Sequence, residues 1–424
     1  MTLTPIGYRP RLAESELDVM LRAFGAVSIE GPKFCGKTWL SRSRANSEIS
    51  LNNPDGNYAN RTLVNLNPMA AFEGEIPHLI DEWQEVPALW GATKDVVDRS
   101  PENGRFILSG SSTPPYKTRT HSGAGRIGRM RIRTMSLYES GDSTGQVSLE
   151  SLFKDGFEPI SSQTDLSELI RLAVRGGWPR NINLNEAEAI VANRAYIDTI
   201  KDDAVSIDGK NRNSRKIDML LRSLARNEST YATKASIVRD MNEFDGDSVS
   251  EVSITHYLEI LDRMFLVNDQ PAFNPNYRSS VRVGRTKKRH LADPSLAVAA
   301  MYLNSEKLLG DLNTFGFIFE AMCVRDLDVY ASCFGGTVSQ YRDDKGREID
   351  AVVEMPDGRW GAFEIKLGAH QIDSAADNLI GIREYMAERG ARTPDVLCVI
   401  CGLSQAAYCR EDGVYVVPIT ALKP

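Results

Sequence analysis

Cysteine and histidine are scarce in this 424-residue chain, with six of the first and five of the second. Cys35, Cys323, Cys333, Cys398, Cys401 and Cys409 are too few and too irregularly spaced for a disulfide framework. Cys398 and Cys401 have redox or zinc spacing, yet they sit in an apolar, strand-like run with no second ligand pair nearby. That setting favours a buried, reduced pair over zinc. The dispersed histidines form no ligand-spaced cluster. Also missing is any apolar stretch of the ~20 residues a bilayer span requires. The N-terminus shows no charged segment followed by an apolar run. A cytoplasmic chain with no membrane partner is therefore expected. Positive charge is in short supply as well: 50 Lys and Arg face 57 Asp and Glu, a net charge of −7. Any nucleic-acid contact must come from local basic patches. The length predicts roughly two to four domains, with enough apolar content for real cores.

What is present is sharper. Gly31-Pro32-Lys33-Phe34-Cys35-Gly36-Lys37-Thr38 fits G-x-x-x-x-G-K-[ST] at every fixed position. The run 26–30 before it reads as a strand and 39–42 after it as a helix. That strand–loop–helix context lets backbone N–H groups curl around phosphate oxygens at a helix N-terminus. Gly31 to Thr38 would bind ATP, with Lys37 reaching the β- and γ-phosphates and Thr38 holding Mg²⁺. Downstream, His78-Leu79-Ile80-Asp81-Glu82 reads as a second strand beside the loop strand. Asp81 would bind the Mg²⁺ through water, and Glu82 would deprotonate the attacking water. A third strand at 105–108 leads into Ser109 and Ser111, either of which could sense the γ-phosphate; turn chemistry would also explain them. Between 123 and 133, arginines alternate with apolar residues. One of them, Arg126 first, could stabilise charge on the transferring phosphoryl group, in cis or from a neighbouring copy. A solvated or nucleic-acid-facing edge is the competing reading.

Past residue 160 the pattern turns helical, with the turn Gly176-Gly177-Trp178-Pro179 between two periodic segments. From 214 to 264 three helical periods follow one another, and a strand is expected at 265–267. The basic run 280–290 reads as a β-ribbon, so the segment predicts a winged helix. Arg282, Arg285, Lys287, Lys288 and Arg289 would face phosphates; a spacer with a solvated loop fits equally. In the last third, Glu348 to Val353 and Trp360 to Lys366 read as two strands joined by a turn at 355–358. Period-2 alternation puts Glu364 and Lys366 on one face. Asp350, Glu364 and the acid Glu320, set in an apolar helix start, could hold a divalent metal, with Lys366 positioning the attacking water. Surface charges on a hairpin would produce the same pattern.

Taken together, these segments resemble the bacterial and archaeal AAA-type ATPases that carry a C-terminal restriction-endonuclease-like domain. The resemblance rests on Gly31 to Thr38, Leu79 to Glu82, Leu108 to Ser111 and the stretch from Arg126 to Ser140. The 176–179 turn, Asp293-Pro294, Phe319-Glu320, Glu348 to Asp350 and Glu364 to Lys366 extend it. It implies an α/β fold: a P-loop NTPase parallel-sheet core (1–160), a helical lid (161–212), a winged helix (213–300) and a restriction-endonuclease-like α/β domain (301–424). The bulky Phe34-Cys35 departs from the small residues usual inside such a loop, at positions where the motif is variable. The expected function is a Mg²⁺-dependent ATPase coupled to a module acting on nucleic acid, DNA rather than RNA. The alternative is an ATP-driven switch whose C-terminal domain binds a partner without cutting. An arginine acting in trans would require a homo-oligomer.

Overall fold

The computed structural model describes residues 3–112, 123–154, 156–206, 213–242 and 249–424. Among the described residues two compact units emerge: the part up to Thr134 together with a short piece at 260–266, and the remainder. No helix among the described residues is long and apolar enough to cross a membrane.

The first unit is built on a five-stranded sheet in the order β2-β3-β4-β1-β5, from β1 (Ala26–Glu30), β2 (Ser47–Ser50), β3 (His78–Asp81), β4 (Phe106–Gly110) and β5 (Ile127–Arg131). Every pairing in it is parallel. β3 and β4 are buried along their whole length, as their apolar sequences require when helices cover both faces. Trp83, Trp90, Phe106 and Leu108 centre its core. One expectation needs correcting here. β3 does not lie beside β1, because β4 runs between them: Ser109 pairs with Ile29 on one side and Asp81 on the other.

The second unit carries a seven-stranded mixed sheet and a two-stranded one. β6 (Val147–Ser148) pairs with the last strand, β14 (Leu422–Lys423). The large sheet runs β7-β12-β13-β11-β10-β9-β8. Its members are β7 (Ile160–Ser161), β8 (Thr337–Arg342), β9 (Glu348–Glu354), β10 (Trp360–Lys366), β11 (Val396–Cys401), β12 (Ala406–Cys409) and β13 (Tyr415–Val417). β9 and β10 form the expected hairpin, and the helix Ile372–Glu388 packs its Leu379 and Ile382 face into the core with Trp360 and Val399. Cys398 and Cys401 are both buried on β11. The helical segments fall at Leu166–Arg175, Glu186–Ser206, Ser214–Arg226, Lys234–Asn242 and Glu251–Arg263.

The ribbon after them does not form as expected. Val281–Gly284 is a short helix, Phe265 takes a left-handed backbone, and residues 267–291 contribute only isolated bridges such as Gln270–Lys288. Motif residues left without a chemical role in the sequence meet in a buried network instead. The Arg325 guanidinium, on the helix Leu312–Ser332, donates to Asp326 (2.7 and 2.8 Å) and to Asp293 (3.1 Å). Asp293 also accepts from the Gly177 N–H (3.0 Å), and Asp326 from the Leu137 N–H (2.9 Å). A Cβ on Gly177 would collide with the Met135 carbonyl, so only glycine fits there.

Candidate functional site

The phosphate loop leaves the C-terminal end of β1 and closes onto the helix Lys37–Arg42. Gly31 has no room for a side chain, since a Cβ would stand 2.6 Å from the Ile132 carbonyl. Gly36 supplies a left-handed turn at the helix start (φ 104°). Phe34 is also left-handed (φ 63°), a conformation that costs a non-glycine residue about 1–2 kcal/mol. It is exposed at the loop tip, whereas Cys35 is buried. The Lys37 ammonium folds back into the loop and donates to the Gly31 and Pro32 carbonyls (2.9 and 2.7 Å). Those carbonyls keep the buried charge compensated inside the cradle.

Across from the loop, Thr38 Oγ1 donates to Asp81 Oδ1 (3.1 Å). The two groups expected to hold Mg²⁺ therefore already touch. A hydroxyl and one carboxylate are hard oxygen donors of the kind Mg²⁺ takes while keeping several waters, so the residues fit that ion. Burial first, and the neighbouring Glu82 charge second, push the Asp81 carboxyl up to about 6. Glu82 follows in a left-handed conformation (φ 57°) that turns it out of the strand. Its carboxylate accepts from Gln84 and from the Ser111 hydroxyl (3.2 Å). Ser109, on β4, is fully buried next to Asp81, so the two serines divide: Ser109 flanks Asp81 and Ser111 holds Glu82.

Arg126 is placed elsewhere. Its carbonyl accepts from Ala26 N at the first residue of β1, and its side chain pairs with Asp98 (2.7 Å). Five residues of β1 separate it from the loop, roughly 15 Å along the sheet. It cannot serve its own chain's phosphates. Parallel register instead brings the end of β5 to the loop, with Arg131 beside Glu30 and Ile132 against Gly31.

Sequence reasoning missed Arg11 entirely. It is buried, and its guanidinium bridges the Cys35 carbonyl in the loop (2.7 Å) and the Arg133 carbonyl (2.9 Å). No motif signals it, because both acceptors are backbone atoms. Arg11→Ala should weaken ATP binding about tenfold, the worth of a charged hydrogen bond or two, read by calorimetry.

In the second unit the hairpin brings Asp350, Glu364 and Lys366 together. Lys366 Nζ lies 3.1 Å from Asp350 Oδ2 and 2.6 Å from Glu364 Oε2. Asp350 Oδ2 also accepts from the Ile365 N–H (2.9 Å), and Glu364 Oε1 from Asn378 (2.9 Å). Glu320 reaches the same cluster from its helix, but through Lys288: that ammonium pairs with Glu320 and sits 3.4 Å from Asp350 Oδ1. Burial and the Asp350 charge push Glu320 and Glu364 each up to about 8. Burial works against the Asp350 carboxylate, yet Lys288 and Lys366 outweigh it and hold the group below its ordinary value. Among the described residues, no three acidic, imidazole or thiol groups are arranged to hold a metal ion. The set expected from Glu320, Asp350 and Glu364 is thus interrupted by ammonium groups.

The basic run does not offer a free cationic face either. Lys288 is buried, Arg282 pairs with Glu354 (3.0 Å), Arg285 with Asp344 (2.9 Å) and Arg289 with Asp269. Of the five, Lys287 is the one that is exposed.

With this geometry in hand, known proteins add a frame. Residues 23–140 match the family model described as an AAA domain. Residues 166–307 and 315–422 match two models, each described as a domain of unknown function. Uncharacterized proteins of Mycobacterium bovis and Mycobacterium tuberculosis are each 23% identical over 359 residues, spanning 84% of this chain and 73% of theirs. A solved Walker-type ATPase of Pyrococcus abyssi is 13% identical, covering 70% of this chain and 97% of its own, with a TM-score of 0.45. The Aeropyrum pernix ORC2 protein is 13% identical over 74% of this chain and 97% of its own, at a TM-score of 0.30. The family match and the loop–acid geometry make the first unit a P-loop ATPase domain of the AAA type.

Proposed function

We propose that this chain is a Mg²⁺-dependent ATPase whose nucleotide state governs a C-terminal, nuclease-like module that cuts or grips DNA. The observation that carries the reading is the contact of Thr38 with Asp81, beside Lys37 on one side and Glu82 on the other. Thr38 and Asp81 would hold the Mg²⁺, which neutralises phosphate charge when bound. Lys37 exchanges its loop carbonyls for phosphate oxygens. Glu82 takes the proton of the attacking water, and Ser111 and Gln84 fix the carboxylate's direction. Arg131, at the end of β5 beside Glu30, is the candidate to act within the chain, and Arg126 could act only from a second copy, in a homo-oligomer. In the module, Asp350, Glu364 and Lys366 are the residues toward the DNA backbone.

A second reading, an ATP-driven switch whose module binds a partner without cutting, is favoured by the internal pairing of the basic run. One paired assay tests the proposal. Wild type is expected to release phosphate from MgATP, and Lys37→Ala to lose both binding and release. Undiminished binding by Lys37→Ala would overturn the ATPase reading. In the same preparations, metal-dependent cleavage of plasmid or single-stranded DNA that disappears in Lys366→Ala would select cutting. Intact DNA with both proteins would select the non-cutting reading.

A further inference from the structure

The nuclease-like cluster of the second unit is filled by a side chain of its own chain. Three acids and two ammonium groups converge there, and each Asp350 oxygen already has a cationic neighbour: Lys288 at Oδ1 (3.4 Å) and Lys366 at Oδ2 (3.1 Å). Lys288 stands between Glu320 and Asp350, where a cation shared by those two carboxylates would have to sit. It is not there by chance of a flexible stem. Its backbone is fastened in both directions to Gln270, by Lys288 N to Gln270 O (3.0 Å) and Gln270 N to Lys288 O (2.8 Å). The Gln270 side chain is anchored in turn on the Ser339 and Asp350 carbonyls (2.9 and 3.0 Å), on β8 and β9. The ring of Tyr231 lies 5.7 Å from the ammonium, completing a pocket for a positive charge. Only 3% of Lys288 is exposed, in a chain whose other lysines mostly reach solvent.

We infer that Lys288 is an internal cation that takes the place of a divalent metal in this cluster, leaving it metal-free unless Lys288 is removed. The inference rests on reading the hairpin as nuclease-like. A divalent ion would have to expel a buried, doubly paired ammonium and then still compete with Lys366 for Asp350 and Glu364. The module as folded is therefore equipped to hold a partner rather than to activate water on a metal. Position 288 is the residue that separates the two abilities.

The test reads Mn²⁺ binding to the nucleotide-free full chain by electron paramagnetic resonance, so a failed ATPase assay does not touch it. Wild type and Asp350→Asn should bind Mn²⁺ alike. Lys288→Met should gain one site, about tenfold or more tighter than any in wild type, and lose it again in Lys288→Met/Asp350→Asn. A wild-type site that vanishes in Asp350→Asn would overturn the inference, and so would a folded Lys288→Met with no gain. If Lys288→Met does not fold, reductive methylation of wild type followed by peptide mass spectrometry decides. Lys288 unmodified with and without excess Mn²⁺ supports the inference. Methylation of Lys288 once Mn²⁺ is added overturns it.

Discussion

Glu82→Gln is expected to slow phosphate release by roughly two to four orders of magnitude, the range of a positioned general base, while MgATP binding persists. The amide can still accept from Ser111, so the local geometry survives and only the basicity goes. Removing the Glu82 charge also relieves one of the causes that raise the neighbouring Asp81 carboxyl. Asp81 should then ionise more readily, and nucleotide binding should hold to lower pH than in wild type. The sign follows from the raised value: the ionised, metal-competent form is lost as pH falls through about 6 in wild type. Single-turnover phosphate release and calorimetry across pH check both halves. Wild-type release in Glu82→Gln would move the base to another residue.

Arg325→Met should cost about 3–5 kcal/mol of stability, read as a lower urea midpoint with an unchanged slope. The guanidinium is the cation between Asp293 and Asp326, all three fully or nearly fully buried. Burial raises the Asp326 carboxyl even with Arg325 present, so removing the arginine leaves two acids that must either take up protons or sit uncompensated. The same acids hold the Gly177 and Leu137 N–H groups, so the loss should spread to the turn at 176–179 and to the capped helix Leu137–Ser140. A midpoint within error of wild type would show that the network is dispensable.

The contrast between these two networks explains what could be read from the chain beforehand. β1, β10 and β11 fall at the residues expected, because buried strands are written locally as short apolar runs between turns. The phosphate loop and its acid pair were legible for a similar reason: each is a contiguous motif. Strand order was not. Nothing local tells β3 that β4 will separate it from β1, and nothing tells Arg126 that parallel register sends it to the far end of the sheet. The basic run misled in the same way. Lys288 shares its neighbourhood with Thr286, Lys287 and Arg289, the composition of a solvated loop, while Glu320 and Asp350, which bury it, lie far along the chain. Arg11 could not be found at all from its own surroundings, since it binds carbonyls that every residue has.

The large sheet of the second unit also bears on how this protein can be divided. One of its edge strands is Ile160–Ser161, hydrogen-bonded to Ala406–Cys409, and the chain's last strand, Leu422–Lys423, pairs with Val147–Ser148 in the separate two-stranded sheet. The stretch around 147–161 thus closes a domain whose other strands come some 180 residues or more later in the sequence. A piece cut to begin near residue 301 would carry raw, unpaired strand borders at both places, the kind of surface through which chains stick to one another. Evolutionary shuffling or laboratory dissection of this architecture must keep the early segment with the late one.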